Sequence, residues 1–224
     1  MDNTSQRRKL WGRSLSRPLS PRQQTIFHQG CEELVIKTKE NELFWNEYDT
    51  YTLEIGFGDG EHFIEKAKAN PHVGFLGCER FINGMAKAME AVYEHKLQNI
   101  RLFPDDIHLI LNAIPSHIFS CLYVLFPDPW PKKKHKKRRL LNRDFIQHCH
   151  RILRPKGKLC IASDIEDYRQ FVEEEMAHSQ NFFTKKENAV APLTKYGRKA
   201  QKEGRTSIML VFEKKEKPSY ENPE

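Results

Sequence analysis

The chain has 224 residues, 38% of them hydrophobic, so it can bury one core without a disulfide or metal, and its five scattered cysteines exclude a C-x-x-C zinc site. The formal net charge of +7 comes from residues 132–139 (KKKHKKRR), because removing their seven Lys and Arg from 37 leaves 30 cations against 30 acids. The longest apolar run, at 121–126, is too short to cross a bilayer. We therefore expect a protein of the reducing cytoplasm that binds neither membrane nor metal.

The chain begins with a basic segment that contains no apolar run. Residues 1–25 are rich in Ser, Pro and Arg. This composition predicts a flexible arm without a core of its own, which becomes ordered only against RNA. Residues 26–224 are predicted to form a single domain.

From residue 50 onward, strands and helices alternate. Apolar runs predict strands at 51–56, 72–79, 100–106, 121–126, 158–163 and 207–213. Helical patterns lie at 61–69, 82–95, 107–113, 142–153 and 164–176. This alternation predicts an α/β fold with a mostly parallel sheet and helices on both faces.

Acidic residues close four of the predicted strands, namely Glu79, Asp106, Asp128 and Asp164. The carboxyl ends of parallel strands meet at one edge of the sheet, where α/β folds bind their ligands. We therefore expect these four acids to line one rim.

The first strand runs into a glycine-rich turn, LEIGFGDG. Gly56 and Gly58 permit close approach of the backbone to a ligand, although a purely structural turn would give the same pattern. The spacing is not the dinucleotide G-x-G-x-x-G, whose third glycine is Glu61 in this chain. That anion would repel a pyrophosphate, which disfavours a nicotinamide cofactor.

The acids of the rim suit a cationic nucleoside better than a diphosphate. Glu79 is placed to accept hydrogen bonds from both hydroxyls of a ribose. Glu54 is placed for an ammonium group, and Asp106 for an adenine amino group. S-adenosylmethionine combines these three features with a sulfonium, so the sequence predicts it as the cofactor.

The fourth strand leads into the loop FPDPWP and then into the basic segment, which we define as residues 132–139. Three prolines stiffen the loop and hold Asp128 at the strand tip. Trp130 offers a flat face for a base, and the cations that follow would lie against phosphates. The alternative is a rigid basic loop that meets only solvent.

The segments LEIGFGDG with Glu79, and FPDPWPKKKHKKRR, resemble the bacterial-type tRNA (guanine-N7)-methyltransferases. The resemblance extends from residue 50 to residue 212. It implies a Rossmann-like class I methyltransferase fold with a seven-stranded sheet whose last strand is antiparallel. It also implies methyl transfer from S-adenosylmethionine to N7 of guanine 46 in the variable loop of tRNA.

The resemblance also distributes roles among the site residues. It places Glu54, Glu79, Asp106 and Asp128 around the cofactor, together with Gly56 and Gly58, and we expect Asp128 to be catalytic. Contacts to the substrate fall to Lys132, Asp164, Thr194, Lys195, Tyr196 and Gly197. Contacts to the RNA fall to Lys134, His135, Lys136, Lys137, Arg138 and Arg139. Gly197 departs from the family, which usually has an acid at this position.

Three other functions stay open at this point. They are a methyltransferase with another target, an RNA-binding module without catalysis, and a nicotinamide dehydrogenase. The sequence leaves the choice between a monomer and a homodimer open as well.

Overall fold

The computed structural model describes residues 17–36 and 48–216. Most of the predicted N-terminal arm, residues 1–16, lies outside this range. The predicted boundary at residue 25 falls inside helix α1 (Pro21–Glu33). Ser20 and Gln23 cap its start reciprocally, each side chain accepting the other's backbone N–H, at 3.3 and 3.2 Å. This capping box, with proline at the first helical position, is a sequence signal for a helix start that the predicted elements did not include.

Within the described residues, eight strands form one sheet in the order β3-β2-β1-β4-β5-β8-β6, with β7 also paired to β8. Their bounds are Tyr51–Ile55 (β1), Gly74–Cys78 (β2), Ile100–Phe103 (β3), Phe119–Leu125 (β4), Leu153–Ser163 (β5), Phe183–Lys185 (β6), Ala189–Val190 (β7) and Ile208–Lys214 (β8). Strands β1 to β5 are mutually parallel, and β8 is antiparallel to β5. This confirms the mostly parallel sheet with an antiparallel last strand.

Strands β6 and β7 share one position in the sheet. Both pair with β8, whose other edge is taken by β5 along its length. The eight strands therefore fill seven positions. Apolar runs in the sequence predicted six of these positions, and the seventh was implied only by the family resemblance.

The remaining helices are α2 (Glu61–Ala69), α3 (Ile82–Glu94), α4 (Arg143–Ile152), α5 (Glu166–Ala177) and α6 (Lys195–Lys202). Helices α2 to α5 confirm their predictions to within a few residues. The predicted helix after β3 was wrong, because this segment forms two short 3-10 turns. Pro115 disfavours helical backbone at Ile114, which is extended (φ −69°, ψ 125°).

Two apolar clusters cover the two faces of the sheet. One contains Phe145 of α4 and Tyr168 of α5, packed with Leu53 of β1. The other contains Phe63 of α2 and Met85 of α3, together with residues of β2 and β3. Helices therefore cover both faces, as predicted, and β1 is buried along its whole length in the centre.

Candidate functional site

The turn between β1 and α2 exposes its backbone to a cleft. Gly56, Gly58 and Gly60 all have positive φ values, of 72°, 59° and 81°. A side chain is strained in this region, whereas glycine is not. A Cβ built on Gly56 would meet no atom within 4 Å, and one on Gly58 would lie 3.8 Å from the Tyr196 ring. The turn therefore lets a ligand approach its backbone closely.

The cleft joins two parts of the chain that were predicted to bind different ligands. Residues predicted for the cofactor come from β1 and its turn, and residues predicted for the substrate come from the start of α6. The lining consists of Glu54, Gly56, Phe57, Gly58, Asp59, Glu61, Phe81, Leu125, Thr194, Lys195 and Tyr196. Of these, Phe57, Asp59, Glu61, Phe81 and Leu125 were not predicted as site residues.

Glu54 lies near the carboxyl end of β1 and is almost completely buried. Its Oε2 is 2.7 Å from Nδ1 of His62, on the first turn of α2. Desolvation raises the pKa of Glu54, while the hydrogen bond and charge of His62 oppose this shift. His62 was not predicted as a site residue. Its position in the sequence, two residues after the glycine turn, was a signal that it could reach β1.

Glu79 follows β2 and joins two loops. Its Oε2 accepts from the backbone N–H of Gly58 at 2.7 Å, and its Oε1 accepts from that of Phe81 at 2.8 Å. Desolvation raises the pKa of Glu79, and these backbone donors partly offset the increase. Each carboxylate oxygen has a second lone pair, so Glu79 keeps capacity for hydroxyl donors.

Asp106 begins the 3-10 turn after β3. Its Oδ1 accepts from the backbone N–H of His108 at 3.0 Å and lies 2.6 Å from the ring Nδ1 of the same residue. Asp106 is on the same edge of the sheet as the cleft but is not part of the cleft lining. Its observed contacts are those of a helix cap.

Asp128 lies on the loop after β4, between two strained residues. Phe126 and Trp130 have φ values of 51° and 42°, in the region that favours glycine. Although the side chain reaches the surface, desolvation by the surrounding loop raises the pKa of Asp128. Among the described residues, no hydrogen bond or ion pair involves its carboxylate, so its acceptor positions stay available.

Asp164 directly follows β5 and is paired within the protein. Its Oδ2 accepts from Nε of Arg205 at 2.7 Å, and its side chain is 14% exposed. Arg205 lies just before β8, far along the chain, so no local pattern could have revealed this partner. Asp164 can still accept from a ligand through its other oxygen or through the second lone pair of Oδ2.

Most of the basic segment forms a 3-10 helix, Lys133–Arg138, on the surface. The side chains of Lys132, Lys133, Lys134 and Lys137 are exposed. Lys136 donates to Asp167 at 2.6 Å. These positions leave the exposed lysines free to meet a polyanion.

Two further residues of the segment pack around Trp130. The Arg138 guanidinium lies 5.0 Å from its ring centroid, and the His135 ring meets it edge-on at 5.9 Å. The predicted flat face for a base is therefore partly covered by the protein itself. Desolvation and the nearby cations Arg138, Lys134 and Lys132 lower the pKa of His135.

Arg139 corrects one prediction. Its side chain is fully buried, with Nε donating to the Pro129 carbonyl at 2.9 Å and the guanidinium paired with Asp167. The guanidinium also lies over the rings of Phe171 and Tyr168, at 4.8 and 5.3 Å. An RNA contact by Arg139 is thus contradicted, since the residue holds the loop after β4 to α5.

Helix α6 is fixed across the glycine turn by two ion pairs. Lys195 Nζ is 3.3 Å from Asp59, and Arg198 binds both oxygens of Glu61 at 2.6 and 2.8 Å. Partial burial would raise the pKa of Asp59, but contacts with Lys87 and Lys195 lower it overall. These pairs hold the first turn of α6 at the mouth of the cleft.

The surroundings of Gly197 explain why this chain has no acidic side chain at position 197. Thr194 caps α6 by accepting from the Gly197 N–H at 3.3 Å. A Cβ on Gly197 would lie 2.8 Å from the Pro192 carbonyl and 3.3 Å from the Phe126 ring. The helix therefore packs directly on the loop that carries Asp128, and any side chain at 197 would separate them.

Among the described residues, no group of three or more His, Cys, Asp or Glu could hold a metal ion. In the same part of the chain, every helix is too short or too polar for a bilayer span.

Residues 49–210 match a family model described as a putative methyltransferase. The chain is 41% identical over 178 residues to the tRNA (guanine-N(7)-)-methyltransferase of Agrobacterium fabrum, covering 76% of this chain and 77% of that one. It is 35% identical over 217 residues to that of Rhizobium meliloti, with coverages of 91% and 94%. Among solved structures, the 30S ribosomal A1408 methyltransferase from an uncultured bacterium superposes with a TM-score of 0.58 over 80% of this chain and 95% of that one, at 17% identity, which supports the fold alone.

Proposed function

Because the chain belongs to the tRNA (guanine-N(7)-)-methyltransferase family, we propose that it methylates N7 of guanine 46 in the variable loop of tRNA. The fold and the family imply S-adenosylmethionine as the methyl donor. The observation that carries the proposal is one edge of the sheet, where the glycine turn, the buried Glu54 and the partly buried Glu79 lie near the loop that carries Asp128.

The residues of the cleft fit the chemistry of this donor. The donor carries a sulfonium, an ammonium and a ribose with two hydroxyls, and it supplies a methyl group bonded to positively charged sulfur. Glu54 suits the ammonium, and the remaining lone pairs of Glu79 suit the hydroxyls. The backbone at Gly56 and Gly58 permits close contact, since a Cβ at Gly56 would point into open space. Asp106 would accept from the adenine amino group.

Asp128 is the proposed catalytic residue. N7 of guanine has a lone pair outside the Watson–Crick edge, so it needs no base to remove a proton before it attacks. The ring becomes cationic during transfer, and a carboxylate already in place stabilises that charge. Asp128 suits this role because none of its acceptors is used by the described residues. The remaining contribution of the protein is alignment of the two reactants.

The guanine itself would be held by residues on both sides of Asp128. We assign its N–H donors to Asp164, and the contacts to the surrounding nucleotide to Lys132 and to Thr194, Lys195, Tyr196 and Gly197. Gly197 would contribute backbone only, since no side chain fits there. The mouth of the cleft, formed by the start of α6, would then be the path of the base.

The basic segment would bind the phosphates of the tRNA through its exposed cations, Lys134 and Lys137 among them. The partly buried His135, Lys136 and Arg138 would contribute less, because each is engaged within the protein. A tRNA substrate is consistent with a protein of the cytoplasm.

The direct test is to locate the methyl group. An unmodified tRNA transcript is incubated with the protein and labelled S-adenosylmethionine, then digested and analysed by mass spectrometry. We expect 7-methylguanosine at position 46, and no label in a matched transcript with adenine at that position. Label in another nucleoside, or at another guanine, would overturn the proposal.

A further inference from the structure

We propose that His62 is a positioning residue for the methyl donor, which keeps Glu54 charged and oriented to receive the donor's ammonium group. This inference rests on the proposed function, since it concerns the same cleft. It assigns a role to a side chain that neither the glycine turn nor the acidic rim explains.

The contact is short and lies inside the protein. Nδ1 of His62 is 2.7 Å from Oε2 of Glu54, and their side chains are 9% and 3% exposed. Glu54 also lines the cleft. Among the described residues, its other oxygen takes part in no hydrogen bond. One oxygen is thus held from behind by α2, and the other stays available to a ligand.

The His62 ring is held in place by its neighbours. Tyr123 of β4 meets it edge-on, with ring centroids 4.7 Å apart. Lys66, one turn further along α2, lies 6.0 Å from the Tyr123 ring. The contact with Tyr123 therefore restricts the position and the plane of the imidazole ring beside Glu54.

A buried carboxylate needs such a partner in order to stay charged. Desolvation raises the pKa of Glu54, so the isolated acid would tend to hold a proton. The hydrogen bond and charge of His62 are the largest opposing contributions, followed by the charge of Lys66. A protonated Glu54 would offer an ammonium group no charge to pair with.

Histidine suits this position better than a permanent cation would. Its Nδ1 can donate a hydrogen bond while the ring is uncharged. A lysine or arginine in contact with Glu54 would cancel the carboxylate charge and repel the ammonium group. With an uncharged imidazole as the hydrogen-bond donor, the carboxylate charge of Glu54 would stay available to the ammonium group.

The test uses two ligands that differ in the group concerned. S-adenosylhomocysteine carries the amino-acid tail with its ammonium, and 5′-methylthioadenosine carries the same adenosine without it. In His62→Leu and His62→Asn the new side chains branch in the same way at Cγ, but only asparagine can donate to Glu54. Binding of each ligand to the wild-type protein and to both variants is measured by calorimetry, without tRNA or turnover.

We expect His62→Leu to weaken S-adenosylhomocysteine binding by roughly ten- to a hundredfold, the loss of one hydrogen bond to a buried charge. Binding of 5′-methylthioadenosine should change by less than about threefold. His62→Asn should restore most of the difference between the two ligands. A residue that merely supports the fold would affect both ligands alike.

Equal weakening of both ligands by His62→Leu would overturn the inference while leaving the proposed function intact. The same follows if His62→Asn behaves like His62→Leu. If His62→Leu does not fold, His62→Asn decides through its affinity for S-adenosylhomocysteine divided by its affinity for 5′-methylthioadenosine. A quotient well below that of the wild type counts against the inference. A wild-type protein that binds neither ligand would refute the proposed function as well.

Discussion

The two ends of the parallel strands use charge in opposite ways. At the amino end, Lys214 is 4% exposed, and its Nζ contacts the His150 and Leu153 carbonyls at 2.6 and 2.8 Å and Nδ1 of His117 at 3.0 Å. An ammonium has three donors, and all three are used. At the carboxyl end, Glu79 keeps spare lone pairs and Asp128 keeps all of them. Charge that is fully satisfied within the protein supports the fold, whereas charge with spare capacity beside a cleft is suited to a ligand.

Arg139 provides the first test of this comparison. It lies at the carboxyl end of the strands, but its charge is paired within the protein, like that of Lys214 at the amino end. We expect Arg139→Ala to destabilise the protein by roughly 2–5 kcal/mol, since it leaves a cavity over Phe171 and removes the donor to the Pro129 carbonyl. Lys134→Ala, a few residues earlier in the basic segment, should change stability by less than about 0.5 kcal/mol. Urea unfolding of both variants measures the difference. If the Arg139→Ala protein is stable but binds tRNA weakly, the predicted RNA contact of Arg139 would be supported after all, against the burial of its side chain.

Asp128 tests the other side of the comparison. We expect Asp128→Asn to lower kcat by roughly 10²–10³-fold, because an amide keeps the shape but not the charge beside a ring that becomes cationic. The unfolding midpoint and the affinity for S-adenosylhomocysteine should stay near those of the wild type. Turnover is measured with donor and tRNA saturating, and Asp144→Asn, on the surface of α4, serves as the control. Near-normal turnover in Asp128→Asn would show that its free acceptors have no catalytic role.

The central part of the fold could be predicted because its signals are local. Apolar runs predicted β1 to β5 and β8, and the glycines between β1 and α2 marked the turn that opens on the cleft. Strands β6 and β7 were not predicted, since they are two or three residues long and mostly exposed. Strands this short carry no alternating pattern, and only their pairing with β8 defines them.

The limits of the site prediction have a different cause. In the run KKKHKKRR, nothing local distinguishes the arginine that turns inward from the lysines that stay outside. The difference is set by Asp167 on α5, which binds Arg139 from 28 positions away, just as Arg205 reaches Asp164 from 41 positions away. Residue type therefore predicted which chemical groups lie at the rim. Long-range contacts decide which of the acids and which of the cations are paired within the protein and which remain available to a ligand.

Lys214 allows a pH test of the fully satisfied end. Desolvation lowers the pKa of Lys214 from 10.5 to about 8. Between these values the unfolded chain holds a proton that the folded protein has released, so stability from this group should rise as the pH rises from 8 to 10.5. Lys214→Met should lack that rise and, near neutral pH, destabilise the fold by about 1–3 kcal/mol, because the His150 and Leu153 carbonyls lose the ammonium as a donor.

The measurement compares free energies of unfolding across this pH range. Lys215→Met, at the adjacent and less buried position, should keep the wild-type slope. Methylation by Lys214→Met should be unchanged at temperatures where it stays folded, because Lys214 lies at the end of the sheet away from the cleft. A variant with the wild-type slope would show that another group titrates there.

The smallest effect per residue is expected from the exposed lysines of the basic segment. Because their charge is not used within the protein, replacing them should change the affinity for tRNA but not the stability of the fold. Lys133, Lys134 and Lys137 are exposed, whereas Lys136 is paired with Asp167. Replacing these three with alanine should reduce the slope of log affinity for tRNA against log salt by roughly 0.7–0.9 for each phosphate that is no longer neutralised. The unfolding free energy and the affinity for S-adenosylhomocysteine should be unaffected. An unchanged slope would mean that these lysines meet only solvent, in which case spare charge beside a cleft would not by itself indicate a ligand.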